Sequence, residues 1–259
     1  MPDARQVAYL HALGVDVYVP REAAGKVADA APDAEPTRTE SHRPLVQVVD
    51  HASDAPGVDD TGSYGWEQLR AAVAACRRCE LHQTRTQTVF GVGNPGARWM
   101  FIGEAPGQEE DRQGEPFVGR AGQLLNAMIR ALGMRREDVF IANVLKCRPP
   151  GNRDPRPAEA ASCRRFLERQ VELVAPTLVI AVGRIAAQDL LATETPIAKL
   201  RGKVHSFGAK SWPLVVTYHP AYLLRSPGEK RKAWQDLLHA QQLFTRLQRE
   251  RERADAGPA

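Results

Sequence analysis

Short, continuous apolar runs alternate along this chain with longer segments whose apolar residues recur at helical spacing. The runs are RWMFIG (98–103), VFIANV (139–144), TLVIAV (177–182) and LVVTY (214–218). Their length, and their lack of polar alternation, predict strands buried on both faces. Helices are predicted over 66–75, 120–132, 157–174, 184–191 and 229–248, with Gly133 stopping the second and Pro157 in the first turn of the third. This alternation predicts a three-layer α/β/α sandwich around a mostly parallel, four-stranded central sheet. Ligands of such sheets bind just outside the carboxyl ends of the strands. Three of those ends carry Glu104, Asn143 and His219. A carboxylate, an amide and an imidazole are thus expected to face one crevice.

The pattern weakens at both ends. Residues 1–22 fit a short helix and an extended exit, with Asp3 as N-cap and Gly14 as stop. Residues 23–64, rich in Ala, Asp, Pro and Gly, read as a mostly disordered linker. The folded domain is expected over 65–248, followed by a charged, flexible tail over 249–259. The N-terminus has no signal-peptide core or cleavage site, and no apolar run is long enough to cross a bilayer. A cytoplasmic, monomeric protein is the expectation.

Charge changes the picture little. Lys and Arg number 35 against 31 Asp and Glu, a net charge of +4. The first 62 residues are acidic, so the remainder is more basic than the total. That suits a polyanionic partner or a solvated helix face equally. Against this background FIGEAPGQEEDRQGEPFVGRAG (101–122) gathers Glu104, Glu109, Glu110, Asp111 and Glu115 on what reads as a constrained loop.

The four cysteines change it more. Cys76 and Cys79 form a C-x-x-C pair, Cys147 follows the second strand, and Cys163 lies in the next helix. Disulfides are disfavoured in a cytosolic chain. Four thiolates suit a tetrahedral zinc or an iron–sulfur cluster. A zinc ribbon would offer a second close pair, which is absent, so a cluster is preferred over zinc.

Other residues near the strand ends admit functional and structural readings. The planar amide of Asn143 suits a base edge offering a ring N–H and a carbonyl, or it caps the loop before Cys147. Phe117, in GEPFVG, is placed for a base to stack on, or packs in the core. His219, before Pro220, can donate to a leaving group that gains negative charge, or is structural. Asn152, in PPGNRDP, forms at least an Asx-turn.

Together these segments resemble the family 4 uracil-DNA glycosylases, the iron–sulfur members of their superfamily. GEAPGQEED (103–111), GEPFVGRAG (114–122), NVLKCRPPGNRDP (143–155) and HPAYLLR (219–225) carry the resemblance, which covers roughly 65–247. It implies base excision repair: deoxyuridine is flipped out of single- or double-stranded DNA and its N-glycosidic bond hydrolysed. It implies that Cys76, Cys79, Cys147 and Cys163 hold a [4Fe–4S] cluster. Asn143 would read the uracil edge, Phe117 would stack on the ring, and His219 would contact the carbonyl oxygen that becomes anionic. Glu104 would belong to the catalytic loop, Glu110 would occupy the place of a thymine methyl, and Asn152 matches a position linked to catalysis. Leu224 and Arg225 would wedge into the duplex.

Some branches of the superfamily carry Asp one residue after Glu104, where it positions water; here Ala105 stands there, leaving Glu104 and Asn152 as candidates for that task. A covalent branch has GEQPG and a His-bearing basic insertion. This chain has GEAPG and LRGKVHSFG with His205, so turnover is expected. The N-terminal RQVAYLHALGVDVYVPR is similar to the docking peptide of the clamp-loader psi subunit, which implies a replication partner for residues 1–22. Two other functions compete: a non-catalytic iron–sulfur DNA-binding module, and a glycosylase for other deaminated bases.

Overall fold

The computed structural model describes residues 61–255. The expected docking peptide and most of the expected linker lie outside the described residues. In chain order the helices are α1 (Trp66–Ala74), α2 (Gln108–Gln113), α3 (Arg120–Ala131), α4 (Pro157–Val174), α5 (Arg184–Leu190), α6 (Ile197–Leu200), α7 (Pro220–Arg225) and α8 (Lys230–Asp255). The strands are β1 (Val92–Gly93), β2 (Trp99–Gly103), β3 (Phe140–Asn143), β4 (Leu178–Val182), β5 (Val204–Phe207) and β6 (Trp212–Thr217).

The strands form one six-stranded sheet in the order β1-β3-β2-β4-β6-β5. The four central strands are parallel and are those the apolar runs predict. Antiparallel β1 and β5 extend the sheet at its two edges. Neither has the buried-strand pattern. β1 has two residues, and VHSF of β5 is mostly open to solvent.

Alternate residues of the central strands enter two cores, which is why the runs carry no polar alternation. Met100, Ile102, Ala142, Val179, Ala181 and Val216 pack beneath α4 and α5. Phe101, Ile141, Ile180, Val182 and Val215 face α3, α7 and α8. Phe101 is fully buried, so Phe101→Ala would cost about 3–5 kcal/mol. A third cluster joins Leu69 and Val73 of α1 to Phe90 and to Phe166 of α4.

Two boundaries differ from expectation. Residues 61–63, placed in the linker, form a 3-10 turn with Thr61 buried. Arg169 of α4 holds this end by donating from Nε to the Tyr64 carbonyl at 2.8 Å. The tail expected from 249 continues α8 to Asp255, and Arg251 Nη1 donates to Thr177 Oγ1 at 3.0 Å. Among the described residues no helix is long and apolar enough to cross a membrane.

The chain leaves β2 toward β3 on one side and leaves β4 toward β6 on the other, so the order in which strands are added reverses between the parallel neighbours β2 and β4. Ligand crevices open at such points, beyond the carboxyl ends of the strands.

Candidate active site

A cleft of about 390 Å³ opens at those carboxyl ends. Glu104, Ala105, Glu110, Phe117, Asn143, Asn152, His219 and Arg225 all line it. Eight of the nine residues expected in the catalytic, base-binding and wedge groups thus meet in one place. Leu224 stands apart: it projects into solvent from α7. The segment expected as a wedge loop is this short helix, with Leu224 and Arg225 in its last turn.

Parallel pairing of β2 and β3 sets Gly103 opposite Asn143. Gly103 must lack a side chain. A Cβ there would lie 2.5 Å from both Asn143 Oδ1 and Phe117 Cζ. The amide and the ring therefore close over bare backbone. Asn143 is buried, and its Oδ1 has no hydrogen-bond partner. Phe117 is buried with a left-handed backbone, φ 55°. Such a conformation costs a non-glycine residue about 1–3 kcal/mol and persists only when surrounding bonds enforce it. The enforcing residue, Arg136, was not singled out by the sequence; its guanidinium donates to the carbonyls of Pro116 and Phe117 and to Asn126 Oδ1.

The middle of the acidic stretch is a helix rather than a loop. Glu109, Glu110 and Asp111 occupy the first turn of α2, where carboxylates suit the helix dipole. Glu110 Oε1 accepts from the backbone N–H groups of Val118 (3.0 Å) and Gly119 (3.2 Å). That ties the turn carrying Phe117 to the cleft wall. Asp111 is buried and accepts from Thr86 N–H at 2.9 Å, while Glu109 pairs with Arg112. Asp111 thus braces α2 against the chain at Thr86, and neither acid lines the cleft.

His219 is the N-cap of α7. Its Nδ1 accepts the Ala221 N–H at 3.1 Å, which leaves the ring proton on Nε2. Burial, reinforced by the Arg225 guanidinium and opposed by Glu110, lowers its pKa to about 4. The ring is neutral at neutral pH and stands 5.6 Å from the Phe117 ring. A Cβ at Gly183, which follows β4, would lie 2.8 Å from His219 Cβ, so this position too admits only glycine.

Glu104 follows β2 directly. Burial and the nearby Asp154 carboxylate raise its pKa to about 7, against the Arg184 guanidinium. Asp154 lines the cleft and pairs with Arg184 at 2.6 Å; nothing in the sequence pattern marks either residue. The turn bearing Asn152 and Asp154 is fixed to α4 by Arg153, which donates to the buried Glu159 at 2.8 Å. Asn152 itself is exposed, φ 54°, with Oδ1 accepting from Arg148 Nε at 2.7 Å. His205 lies on β5, its Nε2 bonded to the Leu200 carbonyl at 2.8 Å, and does not line this cleft.

The four cysteines line a second, enclosed cavity together with Arg85 and Lys146. Arg85 Nη1 donates to Cys147 Sγ at 3.0 Å. Burial raises the thiols of Cys79 and Cys147, and pushes Cys163 up to about 12. Among the described residues no three His, Cys, Asp or Glu side chains stand close enough to hold one metal ion. Lys146, fully enclosed, donates to the Asn143 carbonyl (2.7 Å) and to Gln170 Oε1 (2.6 Å). The cysteine cavity and the cleft thus share one short peptide, 143–147.

Fold and cleft define an α/β protein whose pocket offers an aromatic ring for the face of a flat molecule and an open amide for its polar edge. A model of the uracil DNA glycosylase superfamily matches residues 90–238. Three similar proteins are each named a type-4 uracil-DNA glycosylase. That of Archaeoglobus fulgidus is 48% identical over 60% of this chain and 81% of its own. That of Thermotoga maritima is 47% identical over 62% and 83%, and that of Sulfurisphaera tokodaii 40% identical over 68% and 84%. The chain belongs to the uracil-DNA glycosylase superfamily, on its type-4 branch.

Proposed function

We propose that this chain excises uracil from DNA by hydrolysing the N-glycosidic bond of a flipped deoxyuridine. One observation carries the reading: Asn143 Oδ1 is buried beside the cleft with no partner. An unmet buried acceptor costs about 1–3 kcal/mol, and a ring N–H meets it. Uracil offers N3–H to Oδ1 and its O4 to the Asn143 amide N–H. Cytosine offers the opposite pattern at both atoms and is rejected. Phe117 takes the face of the ring, and Glu110, locked by Val118 and Gly119, walls off the C5 edge against a methyl group.

The leaving uracil gathers negative charge on O2. The neutral His219 donates Nε2–H there, in a site whose hydrogen bonds are set in advance. Water oxygen bonds to C1′ while the C1′–N1 bond breaks with its electron pair going to uracil. The water proton passes to the Glu104 carboxylate, whose raised pKa suits a base at neutral pH. Asn152, with Oδ1 held by Arg148, has its amide N–H groups left to orient that water from the cleft mouth. Leu224, exposed at the end of α7, fills the gap left in the duplex.

Cys76, Cys79, Cys147 and Cys163 are the residues that would hold a [4Fe–4S] cluster. A single zinc with Zn–S near 2.3 Å would bring its sulfurs to within about 4 Å of one another. The four thiols line one cavity within electrostatic reach of one another, a donor set that fits a cluster. Such a cluster would cross-link the segment after α1, the β3 exit and α4. The docking of residues 1–22 on a clamp-loader subunit belongs to the same proposal and rests on its motif. A pull-down with these residues deleted tests it; unchanged recovery of the partner rejects it.

The test of the main reading is an oligonucleotide with one uracil, incubated with the purified chain and then with alkali. Strand cleavage at uracil, and none at cytosine or thymine, is expected. An uncut uracil strand leaves the non-catalytic binding module, and stronger release of hypoxanthine or xanthine than of uracil leaves the glycosylase for other deaminated bases.

A further inference from the structure

A second cleft adjoins the first, and the reaction described above makes no use of it. Its volume is about 430 Å³. Glu104, Asp154, His219 and Arg225 border both clefts, so the two are separated by one wall of side chains. Beyond that wall Ile185, Ile197, Tyr218 and Tyr222 supply apolar and aromatic surface, and Arg184 stands at the rim.

We propose that this second cleft seats the nucleotide next to the flipped deoxyuridine, its base on Tyr222 and its phosphate between Arg184 and Arg225. The proposal rests on the uracil-excision reading and extends it to a neighbouring subsite. Tyr222 is on the same short helix that His219 caps, so one element addresses both clefts. Tyr218 is fixed on one side by the Arg201 guanidinium, 4.2 Å from its ring. Tyr222 packs against it with ring centroids 5.0 Å apart, yet remains exposed. A rigid, exposed aromatic beside a cation is the usual platform for an unpaired base, whose face it covers whatever the base's identity. Arg225 has no hydrogen-bond or carboxylate partner among the described residues. Arg184 pairs with Asp154, but half of its side chain is open to solvent, and an exposed pair of that kind yields readily to a phosphate.

The test uses single-stranded uracil oligonucleotides in which the 5′ or the 3′ neighbour is replaced by a baseless tetrahydrofuran residue. Uracil release is compared for the wild type, Tyr222→Ala and Tyr222→Phe. For the wild type, kcat/KM is expected to fall about tenfold when one particular neighbour lacks its base, and little when the other does. Tyr222→Ala is expected to show that tenfold loss on the complete strand and no further loss on the baseless one, while Tyr222→Phe behaves as wild type. Equal sensitivity of wild type and Tyr222→Ala to the missing base overturns the subsite, as does a wild type indifferent to both neighbours. A wild type that releases no uracil from any strand removes the excision reading and the subsite with it.

Discussion

His219 Nδ1 accepts the main-chain N–H of Ala221 at 3.1 Å. One hydrogen bond thereby caps α7 and decides which nitrogen of the imidazole carries the proton. Because burial holds the ring pKa to about 4, the side chain enters the reaction as a neutral Nε2–H donor. The expected result from ¹⁵N chemical shifts is a single Nε2–H tautomer from pH 5 to 9. A titration near the ordinary histidine value of 6.5 would contradict it. His219→Ala is expected to lower kcat by about 10²–10³, the usual loss when one preset donor to a developing anion is removed.

Glu104 makes two pH-dependent claims. Its pKa rises from an ordinary 4.5 to about 7. The carboxylate is the form assigned to accept the water proton, so kcat/KM should climb with pH through about 7, and Glu104→Gln should lose that limb along with about 10²–10⁴ in rate. Stability moves the other way. The folded state holds this proton more tightly than the unfolded chain does, so stability falls as pH rises from about 4.5 to about 7. Glu104→Gln removes that loss. Thermal melts should show the variant about 1–2 kcal/mol more stable at pH 8, after allowance for partial exposure, and no different at pH 4. A variant less stable than wild type at pH 8 would show that the carboxylate is held ionised by partners.

The same residues show how far the sequence reaches. The four central strands are legible because both faces of each are buried, which leaves an uninterrupted apolar run. β5 is not, since an edge strand open to solvent carries no such run. α2 escaped because QEEDRQ has no apolar stripe. Its helix is held by the buried Asp111 reaching Thr86, a contact between residues twenty-five apart. Asn143, Phe117 and His219 were readable at strand ends and in a glycine-rich turn. Arg136, Lys146 and Asp154 were not, because each works through partners that only the folded chain brings near.

Arg136 illustrates that second group. It bonds the two carbonyls flanking the strained Phe117 turn and the side chain of Asn126. Arg136→Ala is expected to release the turn, raising KM for uracil-containing DNA about tenfold while the overall fold survives in circular dichroism. An unchanged KM would mean that Glu110, through Val118 and Gly119, suffices to hold the ring in place.

For Asn143 the expectation concerns selectivity. Asn143→Asp keeps the shape but removes the donor that faces uracil O4 and adds a second acceptor. Uracil release should fall by about 10²–10⁴, while cytosine release, negligible in the wild type, becomes measurable, because the cytosine amino group now finds an acceptor. Retained uracil release with cytosine still excluded would take base reading away from this residue.

The cysteines permit a test that separates ligation from packing. Cys163 belongs to the main core, so Cys163→Ser would destabilise the chain whether or not the thiol binds anything. Cys76 is half-exposed and joins only the margin of the smaller cluster around Phe166. If it merely packs, Cys76→Ser costs less than about 1 kcal/mol. If it is a ligand, the substitution removes a bond on which local folding depends, with a loss of several kcal/mol. Purified wild type is therefore expected to contain iron and inorganic sulfide and to absorb broadly in the visible. Cys76→Ser should lose that absorbance and melt well below wild type. Retained colour with an unchanged melting temperature would remove Cys76 from the ligand set, and zinc in place of iron in the wild type would assign the four thiolates to a single ion.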